Sequence, residues 1–199
     1  RTPWNKHDLT YRLNALTPDL SLESQKAALR QGLKLWSDEA DLKFTEVTGS
    51  ADIEILFAHG AHGDGNNFDG RGNVLAHAYF PNQGAISGDA HFDDGEPWST
   101  DGSGIDLATV AGHEFGHSLG LGHSSVRGAL MYAYYGGPAA KLHDDDKLGI
   151  KNLYGPALEP VPPPPVPVPP PAPPVPPAPA PAPPGGFTEY VLDISFHQL

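Results

Sequence analysis

The stretch HEFGHSLGLGHS, residues 113–124, restricts the fold more than any other part of the sequence. It begins inside DLATVAGHEFGHSLG, whose apolar residues recur at helical spacing, so His113 and His117 project from one face of a predicted helix. Gly120 can adopt the left-handed conformation that ends a helix and turns the chain back. Because this turn lets His123 approach the two helical histidines, the fold has to accommodate three converging imidazoles.

Three imidazole nitrogens suit one Zn²⁺ and leave its fourth position open for water, which is typical of a catalytic zinc. Glu114 follows the first ligand and is placed to take a proton from that water and pass it to a leaving amine. The spacing HExxHxxGxxH followed by a Met-turn is a metalloprotease pattern, and the only methionine, Met131 in GALMYAYY, lies where that turn is expected. The alternative is a chance HExxH in a helix; the glycine, the third histidine and the methionine argue against it.

The distribution of proline divides the chain. Most of the 23 prolines lie in residues 156–184, so the 199 residues separate into a domain (1–155), a proline-rich linker (156–186) and a short tail (187–199). The formal net charge of −12 argues against a nucleic-acid partner. No apolar run is long enough to span a membrane. Without cysteine, any metal must be bound by histidine, carboxylates and backbone oxygens.

The linker is predicted to form extended polyproline II and to act as a spacer. An alternative is that it is a ligand for SH3-type domains, but it contains no Lys or Arg to anchor such docking. The tail FTEYVLDISFHQL alternates like a half-buried strand. Two interpretations stay open for it: the first strand of a further C-terminal domain, or an edge strand that docks elsewhere.

Periodicity within residues 1–155 predicts both strands and helices. Three segments are predicted to be strands: DLTYRL, LKFTEV and DIEILFA. A helix is predicted after a Ser21 N-cap, with Leu22, Leu29, Leu33 and Trp36 near helical spacing. A last helix is predicted in HDDDKLGIKNLYG, where residues 144–146 are acidic and lie near the positive end of the helix dipole. The segment 60–104 is rich in Gly, Asp, Asn and His, which indicates a loop that wraps a ligand.

The sequence resembles the matrix metalloproteinase, or matrixin, family of metzincin endopeptidases over roughly residues 4–155. The resemblance rests on HEFGHSLGLGHS, in which Ser124 after the third histidine is the matrixin choice, and on further segments. These are LTYRL, TPDL, LW, ADIEILFA, HGD, FDG, LAHAYFP, GDAHFD and GIKNLYG. The resemblance implies the α+β metzincin fold, with a twisted five-stranded mixed sheet that has one antiparallel edge strand and packs on three helices. It also implies an active cleft between that edge strand and the zinc helix.

The family pattern also accounts for the glycine-rich segment, because HGD, LAHAY and GDAHFD supply three histidines and one aspartate. These residues are His62, Asp64, His77 and His91. Three nitrogens and one carboxylate fill a tetrahedron and leave no position for water, which is typical of a structural zinc. The alternative is that they are ordinary loop histidines. His59 lies nearby in the sequence but does not match the family pattern.

Further carboxylates match calcium sites of the family, since Ca²⁺ takes six to eight oxygen ligands, several of them backbone carbonyls. The first site is matched by Asp69, Asp93 and Glu96 with the carbonyls of Gly70, Gly72 and Val74; the second by Asp52 and Asp89; Asp19 with Asp94 is a candidate third pair. The alternative is a solvated acidic loop. Two Zn²⁺ and two Ca²⁺ would bring the charge of −12 to about −4, so metal binding accounts for much of the acidity.

The resemblance implies a substrate pocket bounded by Val110, His113, the Met-turn and Tyr135, with Leu75 and Ala76 on the edge strand. This pocket accepts the apolar side chain just after the cut bond. The family usually has proline two residues after the Met-turn methionine, whereas this chain has Ala133, which implies a looser pocket wall. Latency in animal members uses a cysteine, which this chain lacks.

The sequence therefore predicts a secreted or cell-surface zinc endopeptidase that hydrolyses extended protein segments lying antiparallel to the NVLAHAY strand. Two rivals stay open. One is another metzincin with different specificity, and the other is a catalytically silent, metal-stabilised binding module whose proline arm recruits a partner. The presence of Glu114 argues against the binding module, which has no use for a general base.

Overall fold

The computed structural model of the chain describes residues 2–158. The predicted tail, and all but the first three residues of the predicted linker, lie outside the described residues. Residues 2–158 belong to one compact unit. None of the helices within residues 2–158 combines the length and the apolar character that a membrane span requires.

A five-stranded sheet forms the centre of the described domain. Its strands are β1 (Asp8–Ala15), β2 (Lys43–Glu46), β3 (Ile53–Ala58), β4 (Ala76–Ala78) and β5 (Ala90–Asp93). Their spatial order is β2-β1-β3-β5-β4; the first four are parallel, and β4 runs antiparallel to β5. The predicted mixed sheet with one antiparallel edge strand is thus confirmed. A small parallel ladder joins β6 (Trp98–Ser99) to β7 (Ile105–Asp106).

Three helices pack with this sheet, as predicted: α1 (Leu22–Ser37), α2 (Leu107–Ser118) and α3 (Asp144–Tyr154). Ser21 is the N-cap of α1, as the sequence predicts, and accepts a hydrogen bond from the Ser24 N–H. The buried stripe of α1 differs at its start from the prediction. Leu22 is 48% exposed, whereas Gln25 is buried and its amide binds the backbone of Thr17. Leu29, Leu33 and Trp36 lie in the core.

The packing of α1 against α2 depends on small residues at their contact. A Cβ atom at Gly32 would lie 2.9 Å from the backbone nitrogen of Gly112, so the two helix backbones approach closely. The indole nitrogen of Trp36, which is fully buried, donates to the Gly112 carbonyl at 2.9 Å. This contact fixes the position of α2, and α2 carries the first two histidines of the 113–124 stretch.

Candidate metal centres and substrate cleft

The three histidines of the 113–124 stretch converge as the sequence predicts. His113 and His117 lie one turn apart on α2, and the helix ends at Ser118. Gly120 has a φ of 100°, a left-handed conformation that reverses the chain and carries His123 back towards them. The ligand atoms of the three residues all lie within 4.8 Å of one another.

Hydrogen bonds set the tautomers of the two helical histidines. His113 Nδ1 lies 2.7 Å from the Leu130 carbonyl oxygen, and His117 Nδ1 lies 2.8 Å from the Leu121 carbonyl oxygen. Because a carbonyl oxygen can only accept, each Nδ1 carries the proton and each Nε2 offers a lone pair. Burial lowers the pKa of His113, which keeps its ring neutral and able to bind a metal.

The donor set fits zinc. Four ligands at the usual Zn–N distance lie about 3.3 Å apart at the corners of a tetrahedron. The Nε2 atoms of His117 and His123 are 3.2 Å apart. The three nitrogens would supply three of the four ligands of a zinc ion, and all three rings line one cleft.

Glu114 is buried beside these histidines and lines the same cleft. Its Oε2 atom has no hydrogen-bond partner. Among the buried side-chain polar atoms of residues 2–158, only this atom and Asp94 Oδ1 lack one. Burial raises the pKa of Glu114 to about 8. A cation bound by the adjacent histidines would lower this pKa. A pKa near neutrality suits a group that takes up and releases protons.

The turn that contains Met131 lies under α2. Met131 is buried, and a Cβ atom at Gly116 would lie only 2.2 Å from its sulfur. Asp146 of α3 holds this turn: it accepts hydrogen bonds from the N–H groups of Leu130 at 2.7 Å and Met131 at 3.0 Å. The sequence places Asp146 near the helix dipole but does not predict this role. The sequence does contain a pattern that points to Asp146, because this residue occupies the N3 position of a helix capping box with His143.

The four residues predicted as a structural zinc site also converge. Asp64 Oδ2 lies 2.8 Å from His62 Nε2, 2.8 Å from His77 Nε2 and 2.9 Å from His91 Nδ1. His62 Nδ1 lies 2.8 Å from the Gly60 carbonyl oxygen, so its Nε2 is free to bind a metal. These separations are a few tenths of an ångström below those of a tetrahedral zinc site, so the residues fit a closed four-ligand site.

The protonation states in this cluster are those that a metal needs. Burial raises the pKa of Asp64, but hydrogen bonds from the Asn66 N–H, the Tyr79 hydroxyl, His77 and His91 outweigh it, so the pKa lies well below its usual range. Burial lowers the pKa of His77 and of His91. One carboxylate and neutral imidazoles are thus present near neutral pH.

A cleft of about 960 Å³ separates β4 from α2 and the turn after it. Leu75 and Ala76 line one wall, and Val110 and Tyr135 line the other, so the structure brings the four predicted pocket residues together. Ala133 also lines the cleft and is exposed. β4 ends the strand order of the sheet, so its outer edge borders the cleft.

Sequence comparison decides the family of this domain. The family pattern described as Matrixin matches residues 3–155. The chain belongs to the matrixin family. The described fold agrees with this assignment, since it has the mixed sheet and the three helices that the resemblance implies.

Curated relatives of this matrixin include proteases from different animals. The hatching enzyme of Paracentrotus lividus is 52% identical over 76% of this chain and 26% of its own length. The macrophage metalloelastase of Oryctolagus cuniculus is 47% identical over 82% of this chain and 36% of its own length. The interstitial collagenase of Bos taurus is 48% identical over 80% of this chain and 34% of its own length. The chain spans about a quarter to a third of the length of these relatives.

The carboxylates assigned to the first calcium site bind backbone N–H groups of the glycine-rich loop. Asp93, which is fully buried, accepts from Gly70 and Gly95, and Glu96 accepts from Gly72. Asp69 is exposed and contacts Asn73. Among residues 2–158, groups of three or more convergent His and acidic ligands form only at the two histidine clusters, and this calcium site stays a prediction.

The other candidate calcium ligands have separate contacts in the matrixin domain. Both oxygens of Asp52 are bonded, one to Lys6 at 2.6 Å and the other to Thr10. Asp89 accepts from the Glu54 N–H, and burial raises the pKa of Asp89 to about 6.

The candidate third pair differs in that one member has a free oxygen. Asp19 accepts from the Trp98 N–H at 3.0 Å. Asp94 lies 3.3 Å from His59 through one oxygen, and its other oxygen is the second unpartnered buried atom noted above. The second and third calcium sites also stay predictions.

Proposed function

We propose that this matrixin domain is a zinc endopeptidase that hydrolyses extended protein segments. One observation carries the proposal: three convergent imidazoles and the unpartnered carboxyl oxygen of Glu114 line the same cleft as the free edge of β4. The names of the relatives, which include a metalloelastase and a collagenase, support proteolysis. We propose an extracellular location on the same grounds.

The substrate would bind as an additional strand. The outer edge of β4 offers backbone N–H and C=O groups that can pair with an extended segment, antiparallel to β4. A side chain of that segment can enter the pocket between Val110 and Tyr135. Tyr135 is held in place because its hydroxyl accepts a hydrogen bond from the Asp106 N–H at 3.0 Å. Apolar side chains suit this pocket.

Proton transfer during hydrolysis is assigned to Glu114. Zinc held by His113, His117 and His123 would act as a Lewis acid that polarises the carbonyl group and acidifies water. Glu114 accepts a proton from the attacking water and donates it to the departing amine nitrogen. No polar group of residues 2–158 forms a hydrogen bond with its Oε2 atom, so this atom has no competing protein partner.

The second cluster is proposed to hold a structural zinc, and the loop carboxylates calcium. His62, Asp64, His77 and His91 tie three separate parts of the 60–93 segment together. Of the large apolar side chains in its 60–80 portion only Phe68 is fully buried, so the cost of ordering the backbone has to be met largely by metal binding.

Replacement of Glu114 tests the proposal. Glu114→Ala should retain two zinc ions per chain, because it removes no ligand, and should lower peptide hydrolysis by about a hundredfold or more. Zinc content and cleavage of a peptide library are measured for this variant, the parent and Glu23→Ala, which changes a glutamate outside the cleft. A parent chain that holds two zinc ions but cleaves no peptide would favour the binding module. Undiminished cleavage by Glu114→Ala would refute the role of Glu114.

A further inference from the structure

We propose that Arg127 selects substrates with an acidic side chain, by pairing with that side chain inside the cleft; this inference rests on the proposed peptidase function. Arg127 is exposed and lines the cleft. Among residues 2–158 it has no ion pair, hydrogen bond or ring contact, and no other Lys or Arg lines the cleft. It is therefore a permanent positive charge available to a bound peptide.

Most Lys and Arg side chains in residues 2–158 are paired with carboxylates, and Arg127 is one of four that are not. The chain carries 24 acidic and 12 basic residues, and seven of the eleven Lys and Arg side chains in residues 2–158 form ion pairs. Within the cleft the acidic lining residue is Glu114, which is buried. No exposed carboxylate of the described cleft lining neutralises Arg127, so a substrate carboxylate meets no internal competitor there.

The backbone of Arg127 is held in a fixed place. The Ala129 N–H donates to the Val126 carbonyl at 3.1 Å, which closes a four-residue turn with Arg127 at its second position. Gly128 follows with a φ of 95°, as the third position of a type II turn requires. The Ser124 N–H donates to the Met131 carbonyl at 2.8 Å, which ties the base of this loop together.

The position of the loop places this charge near the reacting bond. It begins directly after His123, and the residue before Met131, Leu130, contacts His113. Arg127 and β4 line the same cleft, so a peptide paired with β4 would lie in the cleft that this side chain lines. A guanidinium group binds a carboxylate through two parallel hydrogen bonds, which neither an amide nor an alkyl side chain can reproduce. The substrate class is therefore peptides with Asp or Glu close to the cut bond.

Paired peptides test the inference. Each position flanking the cut bond carries Glu in one peptide and Gln in its partner, and full-length, zinc-loaded parent, Arg127→Gln, Arg127→Glu and Lys34→Gln proteins are compared. At one position the parent should prefer Glu over Gln by about threefold to fivefold in kcat/KM, a typical effect of a partly solvated ion pair. The preference should reside in KM, and should shrink as salt rises from about 0.05 to 0.5 M.

The variants distinguish direct pairing from a general effect of charge. Arg127→Gln should remove the preference, and Arg127→Glu should favour Lys at the same position. Lys34→Gln, which removes an exposed α1 charge outside the cleft, should retain the parent's preference. A preference for Glu that persists in Arg127→Gln, or the lack of any preference in the parent, would overturn the inference.

A binding measurement separates this inference from the peptidase proposal. The same peptides, carrying a fluorophore, are titrated into the zinc-loaded Glu114→Gln protein and into the double variant that also carries Arg127→Gln, and anisotropy reports the affinity. The Glu peptide should bind about threefold to fivefold more tightly than the Gln peptide only when Arg127 is present. If the parent cleaves no peptide, the peptidase proposal fails and the anisotropy alone decides. Equal affinities for Glu and Gln peptides would then overturn the role of Arg127.

Discussion

At the scale of single residues, Glu114 and Asp146 show how surroundings assign different tasks to two buried carboxyl groups. Glu114 has an oxygen without a hydrogen-bond partner and faces the cleft. Asp146 accepts three backbone N–H groups, from Leu130, Met131 and His143. The first is available for proton transfer, and the second holds the turn beneath the zinc histidines.

Replacement of Asp146 should therefore affect stability strongly. Asp146→Ala leaves the buried N–H groups of Leu130 and Met131 without an acceptor, so we expect the free energy of unfolding to fall by about 3 kcal/mol or more. Urea denaturation at saturating zinc measures this loss. Asp144→Ala is the matched control, since Asp144 is exposed in the same helix turn and should cost only about 0.3–1 kcal/mol. Equal losses in the two variants would contradict the structural role of Asp146.

Tyr154 predicts how stability depends on alkaline pH. Burial raises the pKa of Tyr154 to about 12, above the value of about 10 in an unfolded chain. The folded state prefers the protonated phenol, so its contribution is full below pH 10 and is lost as pH rises towards 12. The Tyr154 hydroxyl donates to the Leu119 carbonyl, so Tyr154→Phe, which lacks this bond, should be less stable than the parent at pH 8. Above pH 10 the variant should lose less stability than the parent, because it has no phenol to ionise.

Unfolding free energies between pH 8 and 11.5 check this prediction. The slopes of parent and Tyr154→Phe should differ by up to about 1.4 kcal/mol per pH unit in the alkaline range. Tyr134→Phe, at a side chain that is 77% exposed, is the control and should match the parent. Identical slopes for parent and Tyr154→Phe would rule out the assigned titration.

At the scale of secondary-structure elements, the contact between α1 and α2 determines where the first two zinc histidines lie. Gly32 and Gly112 allow the helix backbones to approach, and Trp36 bonds the Gly112 carbonyl. Gly116, one turn further along α2, leaves room for the sulfur of Met131. The glycines of α2 thus serve close packing, although glycine disfavours helix formation.

Gly32→Ala should destabilise the domain despite the higher helix propensity of alanine. The new methyl group would lie 2.9 Å from a backbone atom, which cannot rotate away, so overpacking should cost about 1–3 kcal/mol and exceed the propensity gain of about 1 kcal/mol. Gly149→Ala in α3 is the control, because its methyl group would meet only the mobile end of Leu121. Thermal unfolding should rank Gly32→Ala below the parent and Gly149→Ala at or above it; the reverse order would contradict the argument.

At the scale of the whole molecule, metal binding is expected to compensate for a large loop with a small core. If calcium binds the 69–96 region only in the folded state, melting temperature should rise with free Ca²⁺. Asp93→Ala is a poor test, since Asp93 also accepts two backbone N–H groups. Asp69→Ala is a better test, because within residues 2–158 Asp69 has a hydrogen bond only with the Asn73 side chain.

We therefore expect Asp69→Ala to weaken the calcium dependence of the melting temperature while the value without calcium stays close to the parent. Calcium titrations followed by calorimetry, at constant zinc, measure both quantities. Asp38→Ala, an exposed aspartate at the end of α1, serves as the control. A parent melting temperature that does not respond to calcium would mean that these are solvated loop carboxylates.

The boundary of the folded unit can be placed by truncation. The Ala157 N–H donates to the Glu39 carbonyl, and the Asp41 N–H donates to the Gly155 carbonyl. A chain that ends at Leu158 should melt like the full chain and cleave short peptides at the same rate. A chain that ends at Tyr154 loses both bonds and should be less stable by about 1–2 kcal/mol. Loss of activity in the chain that ends at Leu158 would show that residues 159–199 contribute to catalysis.

Local sequence patterns and the resemblance to matrixins together predict the fold class and the members of both histidine clusters. Several of the confirmed features are local: the helical spacing of His113 and His117, the turn at Gly120 and the strand alternation. Each depends on backbone geometry over a few residues, so the sequence pattern is enough to predict it. The resemblance to matrixins extended the prediction to the sheet topology and to the second cluster, whose ligands are distant in sequence. All seven predicted zinc ligands come together in two clusters.

Tertiary packing determines which polar side chains have hydrogen-bond or ion-pair partners and which lack them. The bonds of Asp146 to the Met-turn, the free oxygen of Glu114 and the unpaired charge of Arg127 depend on residues brought together from α2, α3 and the turn between them. The exposure of Leu22 and burial of Gln25 likewise depend on neighbouring segments. Sequence periodicity reports which face of an element is apolar, but hydrogen bonding and burial are properties of the assembled neighbours, and no local pattern encodes them.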